Sequence, residues 1–569
     1  MRSHGRRALV ALSAIVLILT IPATSVGAGQ TADYVVVAEP GASSSAVKAA
    51  VKAAGGKVTG QNTAIDTYSA TGPASGFILA VSASAAVDSA AHARPIGSIP
   101  GAKPVKELVP DADAIAAANA RGNAQSKKPG GGSTAGLDPL DGDQWGLKMV
   151  RSDLAREVNA GDRRVLVGII DSGIDFSHPD LDGQVDFGLS RNFAPDIPSI
   201  DGPCEAASCI DPVGTDDNGH GTHVAGIVAA EANGLGISGV APGVRLVALK
   251  GGQDSGFVFL DPVINALTYA ADNGVDVVNM SFYVDPWLYN CQNNPADSLE
   301  AQAEQRAIVI ALSRALDYAH GKNVTLINAL GNNHEDVGHP RTDFSSPDFP
   351  GGTSYPRVID NATCLSLPAE GPHVIGVSSL GPSTAKADYS NYGVEQISVS
   401  APGGWFRDLL GTPDFRTNPN QILSTWSRGA AVANGWVDPT TGEITGAGVA
   451  AAMVKSCNAS ACGLYRYIQG TSMAAPHATG VAALIVSRFG IKDNKLGGLR
   501  LAPDKTEFVL LETAAEHACP NPPLRDYGPE GRPDEFDALC EGDLEFNGFY
   551  GSGIVDAYAA VTEKLELPD

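Results

Sequence analysis

Three residues, widely separated along the chain, are of the types that carry out nucleophilic acyl transfer. Asp171 lies in the segment Asp-Ser-Gly-Ile-Asp, His220 in His-Gly-Thr-His-Val-Ala-Gly, and Ser472 in Gly-Thr-Ser-Met-Ala-Ala-Pro-His. A serine hydroxyl is a weak nucleophile until an imidazole takes its proton. The imidazole keeps the useful tautomer only when a buried carboxylate accepts its other N–H. An acid, an imidazole and a hydroxyl therefore indicate a hydrolase that works through a covalent intermediate.

The sequence around each of these residues predicts the element that positions it. The apolar run 165–170 is typical of a buried parallel strand, and Asp171 follows at its carboxyl end, where open α/β sheets hold their ligands. Small residues surround His220 and Ser472, and the apolar stretches that follow them predict buried helices. His220 and His223 are not interpreted as a zinc pair, because no Glu stands between them.

The order Asp, His, Ser and the flanking residues closely resemble the three signatures of the subtilisin-like serine proteases, the subtilase family (peptidase S8). The resemblance covers the chain from about Gln144 to Val561. It implies a subtilisin-like α/β fold of three layers, α/β/α, with a mostly parallel central sheet. It also implies a serine endopeptidase in which Asp171 orients His220, His220 acts as base and then acid, and Ser472 forms the acyl-enzyme with a polypeptide substrate.

Two other functions stay open at this point. A catalytically inert member of the fold would serve as a binding protein, although all three residues are present. A non-peptide acyl hydrolase would commonly use a Gly-x-Ser-x-Gly turn, and the second Gly is missing at residues 470–474.

The resemblance also implies an oxyanion donor and the walls of a substrate cleft. Asn332, after a strand that ends in Gly331, is the expected side-chain donor, and Asn333 is the alternative. The resemblance further implies three substrate-binding residues: Ser281, Phe282 and Gly256. The family usually has Gly after the first two of these, but Tyr283 stands here, so the side chain that the primary pocket accepts stays open.

The start of the chain predicts export. Arg2, Arg6 and Arg7 precede the apolar stretch 8–21, and small residues at 26–28 form a cleavage site, so residues 1–28 read as a secretory signal. We expect a secreted, extracellular, monomeric protein with no membrane anchor after signal removal. The formal net charge of −24 argues against nucleic acid as a partner.

Residues 29–137 are predicted to be a propeptide and linker. A strand at 34–37, a helix at 45–54, a strand at 77–81 and a helix at 82–90 form an α+β pattern over about 31–100. This pattern resembles the small ferredoxin-like propeptide of subtilases, which implies a zymogen inhibited by its own propeptide. The catalytic domain then spans 138–569, with insertions at about 284–300 and 405–465, the second expected as surface loops.

The eight cysteines, an even number in an exported chain, are expected to form disulfides. Local spacing suggests the pairs 204–209, 457–462 and 519–540, which leaves Cys291 with Cys364.

Calcium is the expected cofactor, because the family clamps a loop after the His helix with such an ion. Oxygen-only ligands suit a hard cation. A first ligand near the start of the mature chain is either Asp138 or Asp141. The other ligands that the resemblance implies are the side chains of Asp180 and Asn233 and the carbonyls of Glu231, Leu235 and Ile237.

Overall fold

The computed structural model describes residues 30–93, 95–98, 138–198, 201–282, 286–347, 354–493, 495 and 498–568. The predicted signal peptide, most of the predicted linker and Tyr283 lie outside these residues. Among the described helices, none combines the length and the apolar composition that crossing a bilayer requires.

Residues 30–93 form a small module with the predicted ferredoxin-like α+β character. Two helices pack on one face of an antiparallel sheet with strand order β2-β3-β1-β4. Val36, Val47 and Phe77 lie in its core. The elements are β1 Thr31–Ala38, α1 Ser44–Ala53, β2 Lys57–Val58, β3 Thr67–Pro73, α2 Phe77–Ser82 and β4 Val87–His92.

Two of the four predictions for this module give the wrong type of element. The run 77–81 is a helix, not a strand. Residues 82–90 were predicted as a helix, but they contain the end of α2, a turn and the start of β4. A short apolar run does not distinguish a buried strand from a buried helix, since both bury consecutive residues. Gly76, in the left-handed conformation, directly precedes the helix.

The large domain is built on a seven-stranded sheet in which all the neighbouring strands are parallel, with the order β15-β14-β12-β10-β6-β8-β7. Its apolar strands are buried on both faces, as parallel sheets require. The strands are β6 Leu166–Asp171, β7 Arg191–Asn192, β8 Arg245–Lys250, β10 Val277–Met280, β12 Thr325–Ala329, β14 Val374–Leu380 and β15 Val399–Pro402.

Helices cover both faces of this sheet and complete the predicted three layers. Along β6, Val167 and Ile169 pack with one helical layer, whereas Leu166 and Ile170 pack with the other. The first layer holds α3 Trp145–Met149, α4 Ser152–Val158, α5 His220–Ala229, α10 Thr471–Phe489, α11 Pro503–Glu512 and α12 Ala557–Thr562. The second holds α6 Leu260–Asp272 and α7 Leu299–Gly321.

The segment 405–468 is folded, so the expectation of surface loops is wrong. Three antiparallel strands in the order β16-β18-β17 lie against α5. Trp426, Tyr465 and Arg466 are almost fully buried there. His223 of α5 lies 3.0 Å from the carbonyl of Arg466 through Nε2. The elements are β16 Ile422–Thr425, α8 Arg428–Ala433, α9 Gly446–Ala450, β17 Met453–Cys457 and β18 Cys462–Ile468.

Short strand pairs and disulfides complete the domain. All four predicted disulfides are present: 204–209, 291–364, 457–462 and 519–540. The remaining strands are β5 Pro95–Ser98, β9 Phe257–Phe259, β11 Asn290–Cys291, β13 Cys364–Leu365, β19 Ile491–Lys492, β20 Leu499–Arg500, β21 Leu524–Arg525 and β22 Ala538–Leu539.

Candidate active site

Asp171 and His220 form a buried pair at the carboxyl edge of the sheet. Asp171 is the last residue of β6 and His220 is the first residue of α5. His220 Nδ1 lies 2.9 Å and 3.0 Å from the two carboxylate oxygens of Asp171, and both side chains are at most 1% exposed. His220 Nε2 is buried and has no hydrogen-bond partner among the described residues. The carboxylate therefore fixes the ring by Nδ1 and leaves Nε2 free to accept a proton.

A second buried acid, Asp216, which the sequence pattern does not single out, holds the strand of Asp171 and the helix of His220 together. Its Oδ1 accepts from Ser172 Oγ and Gly219 N, both at 2.8 Å. Its Oδ2 accepts from Thr222 Oγ1 at 2.6 Å and from Thr222 N at 2.9 Å. These bonds join the end of β6 to the first turn of α5, whose free N–H groups favour a carboxylate. Burial raises the pKa of Asp216, and these hydrogen bonds oppose that rise.

Gly221 is required where α5 approaches β6. A Cβ at this position would collide with the carbonyl oxygen of Gly173 and would lie 3.1 Å from Cβ of Asp171. The small residue thus allows His220 and Asp171 to come within hydrogen-bond distance.

Ser472 lies at the same edge of the sheet, in the first turn of α10. Its Oγ donates to the carbonyl of Ser281 at 3.2 Å, and Ser281 Oγ donates to the carbonyl of Ser472 at 3.0 Å. Ser281 directly follows β10, and Met280 is paired in register with Ile170 of β6. Ser281 therefore lies level with Asp171, the last residue of β6, and the strands β10 and β6 run about 4.8 Å apart. The hydroxyl donates to Ser281 and not to His220 Nε2, so a hydrogen bond to Nε2 requires the hydroxyl to leave its present acceptor.

Asn332 lies beside α10, the helix that carries Ser472, and its side-chain nitrogen makes no hydrogen bond with the described residues. Its Oδ1 accepts from Thr471 N and from Thr471 Oγ1, both at 2.9 Å. These two bonds fix the amide orientation, and Nδ2 forms no hydrogen bond with the described residues. Asn333, the alternative donor, makes no hydrogen bond with Thr471. Its backbone N–H donates instead to Asn391 Oδ1 at 2.9 Å.

The predicted substrate-binding residues occupy different environments. Phe282 is 2% exposed and packs with the α6 and α7 layer. Its carbonyl accepts from Asn328 Nδ2 at 3.1 Å. Gly256 lies in a turn with φ +88° before β9, and β5 of the N-terminal segment pairs antiparallel with β9. The edge of β9 thus holds an extended segment of the same chain.

The N-terminal module is seated on α6 and α7. Asn62 Nδ2 donates to Asn265 Oδ1 at 2.9 Å and to Thr268 Oγ1 at 2.8 Å. Arg306 of α7 forms an ion pair with Asp88 at 2.8 Å. Val35 and Ile65 are examples of module residues that pack into the core shared with these helices.

A large cavity opens next to Asn332. Its volume is about 700 Å³, and it is formed partly by residues that follow Asn332 and partly by the C-terminal segment. His334 and Phe536 stack on each other at its wall, with ring centroids 3.9 Å apart. Other lining residues are Leu288, Phe344 and Tyr389. The cavity is large enough for a substrate side chain beside the candidate oxyanion donor.

Three of the predicted calcium ligands, Glu231, Asn233 and Ile237, contact Asp180. Asp180 Oδ2 accepts from Ile237 N at 3.1 Å and Tyr465 OH at 2.8 Å, and Asn233 Nδ2 lies 3.4 Å from its Oδ1. Burial raises the pKa of Asp180 well above its ordinary value. Asp138 joins the same loop by accepting from Gly234 N.

Asp138 is the better placed of the two alternative first ligands. Burial, with the nearby charge of Asp141, raises the pKa of Asp138 to about 7, and its Oδ2 is buried without a hydrogen-bond partner among the described residues. Asp141 instead accepts from Ser238 N at 2.9 Å and lies 3.8 Å from Arg156. The unpartnered, buried Oδ2 of Asp138 lies near the buried carboxylate of Asp180. Such a pair of carboxylates suits a hard divalent cation.

Comparisons with known proteins agree with this geometry. The profile of the subtilase family, peptidase S8, matches residues 162–553. The chain is 29% identical to fervidolysin of Fervidobacterium pennivorans over 376 residues, which are 64% of this chain and 40% of that protein. It is 29% identical to the thermophilic serine proteinase of Bacillus sp. (strain AK1) over 348 residues, 61% of this chain and 58% of that protein. The matches thus span about 40–58% of these relatives.

Solved structures share the fold at lower sequence identity. The crystal structure of fervidolysin aligns with a TM-score of 0.56 and 23% identity, covering 94% of this chain and 62% of that one. The epidermin leader peptide processing serine protease of Staphylococcus aureus aligns with a TM-score of 0.59 and 18% identity, covering 94% of this chain and 100% of that one.

The family profile spans more than half of the chain and includes the segments of Asp171, His220 and Ser472 in their predicted order. The chain therefore belongs to the subtilase family.

Proposed function

We propose that this chain is a serine endopeptidase that hydrolyses polypeptides through Asp171, His220 and Ser472. The observation that carries the proposal is the buried Asp171–His220 pair with a free Nε2, at the same sheet edge as Ser472. Membership of the subtilase family supports the same reaction.

In the proposed reaction, Ser472 Oγ attacks the carbonyl carbon of the scissile peptide bond and its proton moves to His220 Nε2. His220 then donates that proton to the leaving amine as the C–N bond breaks, which yields the acyl-enzyme. A water molecule then attacks the ester carbonyl and gives a proton to His220, the acyl C–O bond to Ser472 breaks, and the proton passes to Ser472 Oγ as the acid product leaves. Asp171 stays ionised and stabilises the imidazolium through Nδ1–H.

Two donors are proposed for the oxyanion of each tetrahedral intermediate. Asn332 Nδ2 is one, because Thr471 holds the amide by its oxygen and leaves the nitrogen free. The backbone N–H of Ser472 is the other, since α10 begins at Thr471 and the first N–H groups of a helix have no partner within it.

The N-terminal module is proposed as an intramolecular inhibitor of a zymogen. The pairing of β5 with β9 supports this, because a peptide that adds a strand to an exposed edge binds as an extended substrate does. The hydrogen bonds and the ion pair between the module and the helices α6 and α7 strengthen the binding of the module to the catalytic domain.

Secretion and a calcium requirement complete the proposal. Four disulfides are typical of chains that fold in an oxidising compartment, which supports export. Asp138 and Asp180 would hold a calcium ion with the loop 231–237, and the ion would supply positive charge between two buried carboxylates.

Hydrolysis of casein and of a short ester by the purified chain tests the function. The chain and its Ser472→Ala variant are each expressed as secreted proteins, and removal of the N-terminal module is followed on gels. We expect the unmodified chain to lose this module and to cleave both substrates. The Ser472→Ala variant should keep the module and cleave neither substrate. Cleavage of the ester alone would favour a non-peptide acyl hydrolase, and inactivity of the folded, processed chain would favour a binding protein.

A further inference from the structure

The loop that carries Asn332 is held by a second segment of the chain. This loop, residues 330–337, directly follows β12, and we call it the oxyanion loop. It lies against the segment 386–392, which follows β14, through several backbone hydrogen bonds. One of them joins the backbone N–H of Asn391 to the carbonyl of Gly331 at 2.9 Å. The two segments are thus joined at the residue that precedes the candidate donor.

The side chain of Asn391 bonds to three further backbone groups of the oxyanion loop. Its Oδ1 accepts from the N–H groups of Asn333 at 2.9 Å and of Glu335 at 3.0 Å. Its Nδ2 donates to the carbonyl of Leu330 at 3.1 Å. These partners fix the orientation of the amide, because the oxygen accepts and the nitrogen donates. Asn391 is 1% exposed, so water competes little for these bonds.

Gly331 allows the amide of Asn391 to come this close. Its φ of +114° is a conformation that favours glycine. A Cβ at this position would lie 2.4 Å from Asn391 Nδ2, so a larger residue would displace either the amide or the loop. The N–H of Gly331 also donates to Thr471 Oγ1 at 3.2 Å. The backbone directly before Asn332 is therefore fixed from two sides.

The segment of Asn391 is itself anchored to the central sheet. Ser379 of β14 donates its N–H to Ser390 Oγ at 3.0 Å, and Ser390 Oγ donates to the carbonyl of Asn391 at 2.9 Å. The hydroxyl groups of Ser379 and Tyr389 lie 2.7 Å apart. Asn391 therefore connects a buried strand to the loop that carries Asn332.

We propose that Asn391 is a positioning residue for the oxyanion: it holds the oxyanion loop so that Asn332 Nδ2 lies where the negative charge develops. Thr471 orients the side-chain amide of Asn332, and Asn391 fixes the backbone that carries it. A donor stabilises the transition state only when it is already in place, and a misplacement of about 1 Å can lower the rate by about 10²-fold. This inference rests on the proposed function, since it takes Asn332 as the oxyanion donor.

Asn547 offers a matched control, because it is an equally buried asparagine with the same kind of contacts. Its Oδ1 accepts from the N–H groups of Phe549 at 3.2 Å and of Tyr550 at 3.1 Å. Its Nδ2 donates to the carbonyls of His517 at 2.8 Å and of Asp543 at 2.9 Å. Replacing Asn547 by Ala thus removes a similar set of bonds from a different part of the chain.

Steady-state cleavage of a chromogenic peptide, expressed per molecule of mature enzyme, tests the proposal. We expect Asn391→Ala to lower kcat by about 10–100-fold with KM little changed, because the donor acts in the transition state. In the Asn332→Ala background the same replacement should lower kcat by less than about 3-fold, because the donor that Asn391 positions is already absent. Asn547→Ala should leave kcat unchanged. No loss in Asn391→Ala, or an equal loss in both backgrounds, would overturn the proposal.

Gly331→Ala perturbs the same contact from the other side and keeps the side chain of Asn391. The added Cβ collides with Asn391 Nδ2, so kcat should fall as it does in Asn391→Ala, and this loss should also shrink in the Asn332→Ala background. Unchanged kcat in folded Gly331→Ala would overturn the proposal, whether or not Asn391→Ala folds.

Hydrogen exchange of the full chain in the Ser472→Ala background tests the contacts without catalysis. Peptides that cover the oxyanion loop should exchange at least about 10-fold faster in Asn391→Ala, and Asn547→Ala should leave their exchange unchanged. Unchanged exchange in folded Asn391→Ala would overturn the proposal. An unmodified chain that cleaves no peptide would contradict the proposed function, and the exchange result would still decide whether Asn391 holds the loop.

Discussion

The role of Asn332 can be tested by a substitution whose effect follows from its contacts. The side chain accepts two hydrogen bonds from Thr471 at 2.9 Å, and its Nδ2 is the free donor. Asn332→Ala removes that donor from the oxyanion. In a subtilisin, loss of one such donor lowers turnover by about 10²–10³, equivalent to about 2.7–4 kcal/mol of transition-state stabilisation. We expect kcat of this chain to fall in that range, with KM little changed, because the bond forms only in the transition state.

The same substitution has a separate effect on stability. It leaves the backbone N–H and hydroxyl of Thr471 without their acceptor, which costs about 1–3 kcal/mol for each group that stays unsatisfied. Urea unfolding in the Ser472→Ala background measures this effect apart from catalysis. A folded variant with strongly reduced kcat would thus separate the two roles of the side chain.

Asn333→Ala is the matched control, since Asn333 is the neighbouring amide and the alternative donor. Its side-chain oxygen has no hydrogen-bond partner among the described residues, and we expect nearly normal turnover. The assay is steady-state cleavage of a chromogenic peptide, expressed per molecule of mature enzyme. A large loss in Asn333→Ala with little change in Asn332→Ala would refute the assignment.

Further predictions concern stability and metal binding. Asp216→Ala leaves the donors of Ser172, Gly219 and Thr222 without an acceptor, so urea unfolding should show a loss of about 3–5 kcal/mol; a loss below about 1 kcal/mol would contradict its positioning role. Burial raises the pKa of Asp276 to about 8, so ionisation opposes folding, and stability should fall as the pH rises from about 4 to 8; Asp276→Asn should flatten this dependence in urea titrations at several pH values. Replacing Cys291 and Cys364, 73 residues apart, with Ala should lower unfolding free energy by about 4 kcal/mol, against about 2 kcal/mol for Cys457 and Cys462, 5 residues apart; equal losses would contradict the loop-closure argument. EDTA should lower the thermal midpoint of the Ser472→Ala chain, and Asp138→Asn should reduce that response; an unchanged midpoint would remove calcium from the account.

The sequence predicted the parts of the site that depend on local pattern. Asp171 could be placed at a strand end because the apolar run before it is continuous, and helices were expected after His220 and Ser472 because apolar stretches follow them. The cysteine pairs followed from spacing in three cases and from the remaining two residues in the fourth.

Other features depend on contacts between distant segments and were missed. Asp216 resembles any acid in a polar loop, and only the fold reveals that its partners come from both β6 and α5. The Gly and Ala content of the insertion at about 405–465 predicts surface loops, whereas the large aromatic residues Trp426 and Tyr465 in it indicate burial. The helix at 77–82 was predicted as a strand, since five apolar residues fit either element until Gly76 is seen to start a helix.

The central claim is that Asp171, His220 and Ser472 act as one unit, and labelling with a fluorophosphonate tests it most directly. The mature chain is treated with the probe, digested, and the modified residue is identified by mass spectrometry. We predict that Ser472 alone is modified, and that His220→Ala, purified as a folded protein, reacts slower by several orders of magnitude. Modification of another residue, or equally fast labelling of Ser472 without His220, would contradict the account.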